Sequence, residues 1–258
     1  MDTGSSWGLI KTHRERFSPA EIQGLARVLF QGREAWLQEK MHRGEDQSLC
    51  LEFLGRLGEM GSKAAAEILL AQLESANEAL QIAAAEALKN CSPPLIKERL
   101  IVLMRGHYPC SVKAGEILLS LGQEGADILW KLWFESNTSV KLKAQILNLF
   151  AEADEERAEA LAFLAFLSGN EELIRAALNV SERQEAKSLW GNIAICLNDY
   201  GWQIRGKAAK ILGLWREKQA LPFLFQMERD TDPWVEDERR TALSLISDHA
   251  ASRGARNN

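Results

Sequence analysis

The residues in this 258-residue chain whose types could do chemistry are four histidines, four cysteines, a run of carboxylates and eight tryptophans. A metal site needs imidazoles and carboxylates at helical or loop spacing, as in H-E-x-x-H. His13, His42, His107 and His249 are scattered and never take that spacing, so no metal and no cofactor is expected. Cys50, Cys91, Cys110 and Cys196 form no C-x-x-C pair and read as reduced thiols, which sets a cytoplasmic expectation. No catalytic residue is assigned from the sequence. Glu152, Asp154, Glu155, Glu156 and Glu159 crowd the start of one helix, where carboxylates complement the helix dipole and need no ligand. Tryptophan and tyrosine remain, and their chemistry is recognition: they supply large faces that dominate protein interfaces.

The elements that hold them recur. Leu49, Leu80, Cys110, Val140, Leu173, Ile204 and Val235 each open a similar stretch, with gaps of 31, 30, 30, 33, 31 and 31 residues. A fixed period of this size is the mark of stacked helical units. Four residues after each opening come Phe53, Ala84, Ala114, Ala144, Ala177, Ala208 and Arg239. Eight after come Leu57, Leu88, Leu118, Asn148, Ser181, Leu212 and Leu243. Leu147 and Val180, one step earlier, mark a register slip at the 33-residue unit. Apolar residues at this spacing form one helix face, and alanine in its middle lets a neighbouring helix come close.

A second helix follows in each unit, over about Ser62–Glu74, Pro94–Arg105, Glu124–Glu135, Asp154–Leu167, Glu185–Leu197 and Lys218–Glu228. Its apolar pairs are Leu69 and Leu73, Leu100 and Met104, Trp130 and Phe134, Phe163 and Leu167, and Ile193 and Leu197, with Leu224 alone in the last. Asp232 before Pro233 reads as a helix cap, and Ser75–Asn77 and Asn137–Ser139 hold capping candidates. No strand signal competes.

The stretches Leu80–Leu88, Ile204–Leu214 and Gln219–Leu224 resemble HEAT-like repeats of the phycobilisome-lyase type. The resemblance covers about Asp46 to Asp248. It implies an all-α, right-handed α-α superhelix of about seven helical hairpins. The family often carries arginine just after the opening residue; here only Arg205 and Lys141 approximate it. The deoxyhypusine hydroxylase branch of HEAT-repeat proteins holds two irons through repeated His-Glu pairs, and this chain has no His-Glu dipeptide.

The expected organisation is a disordered leader over 1–17, an N-terminal helical cap over 18–45, the repeat array over 46–248 and a disordered tail over 249–258. Ser18-Pro-Ala-Glu begins the cap as a capping box. Arg239 and Arg240 stand where earlier units carry Ala, Gly, Gln or Leu, and so are expected to close the array. No apolar run approaches the ~20 residues of a membrane span; the longest, Ala160–Leu167, is eight. A formal net charge of −5 disfavours a general phosphate-binding surface.

Column position sorts the aromatics. Trp130 and Trp133 fall in apolar columns and are expected in the core. Tyr108 and Trp202 stand two residues before an opening, Trp234 one before, in mostly polar columns. Trp190 sits in a mixed column with Ala66, Lys97, Asp127, Ala160 and Leu221. Trp202 and Trp234 belong to adjacent units and are expected about one helix spacing apart, ~10 Å. Each is either a lid over the preceding turn or an exposed anchor. The expected role is a non-enzymatic scaffold for an unidentified protein partner. The other two readings are a lyase-like or other small-molecule enzyme on the same fold, and a nucleic-acid-binding repair protein.

Overall fold

Within each of two units, first helices stack on one another and second helices pack beside them. A computed structural model describes residues 54–55, 57–58, 63–75, 77–106, 110–227 and 230–254, with no side-chain placement for 64 or for 248–254. The expected leader, the N-terminal cap and Tyr108 lie outside the described residues. Among the described residues the fold is all-α, of the helical-repeat solenoid class, with twelve α-helices and no strand. They divide into two units between Phe134 and Glu135.

The first unit holds α1 (Lys63–Gln72), α2 (Glu78–Leu88), α3 (Pro93–Met104), α4 (Cys110–Ser120) and α5 (Gln123–Phe134). Here α2 stacks on α4 and α1 on α3, while α1 packs on α2, α3 on α4 and α4 on α5. The second unit holds α6 (Val140–Ala153), α7 (Glu155–Leu167), α8 (Glu171–Gln184), α9 (Trp190–Ile195), α10 (Trp202–Trp215), α11 (Leu221–Gln226) and α12 (Pro233–Gly254). Its first helices stack in order, α6 on α8, α8 on α10 and α10 on α12, and α7 packs on α9. The last described helix, α12, is long and runs to Gly254, past the expected end of the array.

Column chemistry explains the stacking. Ala84, Ala114, Ala177 and Ala208 are wholly buried, flanked by buried Leu80, Leu88, Leu118, Leu173, Ile204 and Leu212. At the 33-residue unit Leu147 is buried and Asn148 exposed, as the slipped register requires, whereas in the next unit both Val180 and Ser181 are buried, so the slip does not persist there. Asn77, Ser139, Asp154, Asn170 and Asp232 cap helices through their side-chain oxygens. Each supplies an acceptor to amides that have no partner inside the helix.

Two expectations fail in the second layer. Trp130 is only half-buried, with its ring edge-on to Phe134 at 5.4 Å. Phe134, Phe163 and Leu167 are exposed. The inward faces are instead Leu129, Leu132 and Trp133 on α5, and Ala158, Leu161, Ala162 and Ala165 on α7. Small residues let α7 lie close against α8, so its bulky residues are turned outward. The helix expected over Glu185–Leu197 is also broken: a 3₁₀ turn at Lys187–Leu189 precedes α9 and another at Cys196–Asn198 follows it. Glu185 sits in the left-handed region at φ 50°, which ends α8 and cannot begin a helix. Arg216, at φ 53°, ends α10 the same way, and α11 again follows a 3₁₀ turn, Lys218–Ala220.

Gly213 sets the separation of α10 and α12. A β-carbon there would lie 2.6 Å from the α-carbon of Ala242. Gly213→Ala therefore forces two helix backbones apart and is expected to cost about 1–3 kcal/mol. Gly191, whose added β-carbon would meet nothing within 4 Å, is expected to gain up to about 1 kcal/mol as alanine. Urea unfolding of the two variants measures both; equal effects would contradict this packing.

Candidate functional site

Two loops between units, 199–201 and 230–232, are tied together by Arg205, the one arginine that follows an opening residue. Its Nε donates to Asp230 Oδ2 at 2.6 Å and its Nη2 to Asp230 Oδ1 at 2.9 Å. Its Nη1 donates to the carbonyls of Asp199 and Tyr200, both at 2.9 Å. The two ionic side chains are 17% and 6% exposed. The hydrogen bond from Arg205 holds the Asp230 carboxyl below its ordinary range, and Asp230 raises the guanidinium in return. Asp199 Oδ1 accepts the Gly201 amide at 2.8 Å, and Asp230 Oδ1 the Asp232 amide at 2.9 Å. Asp232 then caps α12 by accepting the amides of Trp234 and Val235 at 3.0 and 3.2 Å. Both loops are thus fixed by charge-assisted bonds, which outlast neutral ones.

This frame carries the aromatics. Trp202 is the first residue of α10 and Trp234 the second of α12. Their ring centroids are 5.8 Å apart with planes at 84°, an edge-to-face pair. That contact is closer than the helix spacing because the two rings lean toward one another, and it contributes about 0.5–1.5 kcal/mol beyond area burial. Trp234 lies across Gly206: a β-carbon there would come within 2.0 Å of its Cζ3. The ring is therefore a lid on α10, yet it stays 38% exposed, and Trp202 stays 44% exposed. Tyr200, two residues before Trp202, is fully exposed.

Trp190 stands elsewhere, on the second-helix layer at the start of α9, half-buried, with its ring 6.3 Å from that of Phe223. Sequence reasoning missed Tyr200, because column comparison reached only two residues before each opening. It also missed a set of exposed apolar residues. Three successive second helices expose large side chains: Phe163 and Leu167 on α7, Ile195 on α9 and Phe225 on α11.

The remaining reactive groups are taken up locally. Glu159 accepts from the Ser188 hydroxyl, Glu152 pairs with Arg183 at 3.7 Å, and Asp154 caps α7. Cys196 is buried, which pushes its thiol up to about 12. Cys110 donates to the Leu73 carbonyl at 2.9 Å, and burial raises its thiol too. Among the described residues no three His, Cys, Asp or Glu side chains are grouped to hold a metal ion, and no helix is long and apolar enough to cross a membrane.

No family model and no curated protein matches this sequence. Among solved structures the chain is similar to human deoxyhypusine hydroxylase, at 14% identity over 96% of this chain and 91% of that one, TM-score 0.40. It is similar to an engineered protein at 18% identity over 95% and 79%, TM-score 0.43. A designed armadillo repeat protein is similar at 16% identity over 92% and 99%, TM-score 0.37. Likenesses this distant transfer no activity to the chain.

The frame has two measurable consequences. Arg205→Ala leaves Asp230 buried without its cation and is expected to cost on the order of 3 kcal/mol in urea unfolding. Arg205→Lys is expected to recover less than half of that, since one ammonium cannot make the forked contacts. A full recovery by lysine would show that charge alone holds the loops. The second consequence concerns pH. Glu236 accepts from Arg239 at 2.9 and 3.0 Å and from Arg240 at 2.8 Å. Those bonds, Arg239's first, pull its carboxyl from 4.5 down to about 2. A carboxyl depressed in the folded state stabilises above its unfolded value, and that stability drains as pH falls toward its folded value. The melting temperature is expected to fall between about pH 4.5 and 2, and to fall less steeply in Glu236→Gln. Parallel pH profiles for the two proteins would contradict this role.

Proposed function

We propose that this chain is a non-enzymatic scaffold that binds a protein partner, and that the rim formed by Tyr200, Trp202 and Trp234 anchors it. The carrying observation is that these aromatics stay exposed on a frame of charge-assisted bonds. Rigid aromatic side chains give interface area with little ordering cost on binding. Core packing accounts for Trp133 and Trp215, which are buried, but gives no reason for a fully exposed tyrosine beside two half-exposed tryptophans.

A second observation favours the same reading. Phe163, Leu167, Ile195 and Phe225 are exposed on the second helices, the layer that repeat arrays use to meet partners. The HEAT-like resemblance of the repeats fits this use. A nucleic-acid ligand fits the rim poorly, because its surface charge is negative: residues 199–205 and 230–240 carry six carboxylates against three guanidinium groups.

The test joins capture to stability. Immobilised protein is exposed to extract of the source cells, and bound proteins are identified by mass spectrometry. The Tyr200→Ala/Trp202→Ala variant is expected to keep its melting temperature within a few degrees and to lose the specific partner. A variant that keeps the partner, or loses stability and nothing else, would overturn the assignment.

A further inference from the structure

The charges around the rim are distributed unevenly, and this bears on what kind of partner segment it takes. Six carboxylates surround the aromatics: Asp199, Asp230, Asp232, Glu236, Asp237 and Glu238. Three guanidinium groups of the same two stretches accompany them, each committed, and the neighbouring Arg175, which reaches Gln203, is paired with Glu171. Arg205 is held by Asp230, and Arg239 and Arg240 are held by Glu236. Asp199 and Asp232 accept backbone amides and share the field of the already committed Arg205. Asp237 and Glu238 form no salt bridge among the described residues, and the rim keeps a local excess of three negative charges. Asp237 and Glu238 follow Trp234 by three and four residues on α12, which places them one helical turn along the same side. Asp199 closes the turn that presents Tyr200 and Trp202.

We infer that the rim takes a basic peptide segment, one that lays an arginine or lysine against the Trp202–Trp234 pair and within reach of Asp199, Asp237 and Glu238. The inference rests on the scaffold reading above and adds the chemical class of the partner. An aromatic face attracts a cation through its quadrupole, and does so more strongly for tryptophan than for tyrosine or phenylalanine. Trp234 covers Gly206 and meets Trp202 edge-to-face, and both rings stay more than a third exposed, so a planar guanidinium can stack on the surface that remains. Carboxylates beside the rings neutralise the same cation. An acidic peptide would meet repulsion from this excess negative charge. An uncharged proline-rich peptide could use the rings but would leave the rim's excess negative charge unmatched. The basic segment is the one class that engages both features.

The test uses the full chain and three short fluorescein-labelled peptides: one alternating arginine and serine, one alternating glutamate and serine, and one uncharged and proline-rich. Fluorescence anisotropy reads binding at low salt and again as salt is raised. The arginine peptide alone is expected to bind saturably, and to weaken with salt. Trp202→Ala and Asp237→Lys are each expected to weaken it about tenfold. Glu156→Lys makes the same charge change in the first turn of α7, away from the rim, and is expected to alter affinity less than about twofold. Circular dichroism melts establish that all three variants fold. Equal weakening by Asp237→Lys and Glu156→Lys would reduce the binding to diffuse attraction by an acidic protein and overturn the inference, as would no binding of the arginine peptide. Binding of the proline-rich peptide that is sensitive to Trp202→Ala would overturn the inference about charge while supporting the rim as an anchor. Retention of the captured partner by Tyr200→Ala/Trp202→Ala overturns the scaffold reading itself, and is a separate result.

Discussion

Close approach between successive first helices is the constraint on which the second unit rests. Each helix presents an alanine or glycine where its neighbour crosses, and larger residues flank it. Between α10 and α12 the spacing is set by Gly213 against Ala242, where one added methyl group would collide with backbone. One turn from the start of α10, Gly206 leaves a similar gap, and the Trp234 ring fills it. The same closeness that builds the core thus brings a tryptophan from the next repeat onto the preceding helix and into edge contact with Trp202. The aromatic rim is a by-product of how tightly two repeats must stack.

Closeness has an electrostatic cost. Bringing the loops at 199–201 and 230–232 together buries Asp230 almost completely. An isolated carboxylate in that position would be strongly disfavoured. Arg205 offsets this by binding the carboxylate in a forked geometry and using its remaining nitrogen on two loop carbonyls. Glu236 on α12 is treated likewise by Arg239 and Arg240. Both devices neutralise buried charge and leave the carboxylates around the rings in excess, so the rim's negative character follows from where its cations are spent.

The fold was largely legible because its signals are local and repeated. Alanine at a fixed column, a leucine four residues on and a capping Asp, Asn or Ser before the helix each survive without knowledge of tertiary contacts. Trp202 and Trp234 stood out for the same reason, as aromatics in polar columns. What resisted reading depended on neighbours. Phe163 and Leu167 continue an apolar column, yet α7 turns its alanines inward and sends them outward. Trp130 yields its place to Leu129 and Trp133 for a similar reason of helix phase. The left-handed Glu185 that breaks the fifth second helix is a choice of backbone conformation that no glycine or asparagine announces. Arg205 was visible as a family-like arginine, but its four contacts span two loops and could not be read from spacing. Tyr200 lay just beyond the columns compared.

The central claim is that Trp202 and Trp234 form a preformed, solvent-facing pair whose chemistry suits a basic segment. Fluorine NMR on protein labelled with 5-fluorotryptophan addresses it most directly, with each resonance assigned by single tryptophan-to-phenylalanine substitution. The account predicts large solvent-isotope shifts for Trp202 and Trp234 and small ones for buried Trp133 and Trp215. It also predicts that the arginine–serine peptide moves the first pair and leaves the second in place. Rim resonances as shielded from solvent as those of Trp133 and Trp215, or unmoved by saturating peptide, would contradict it.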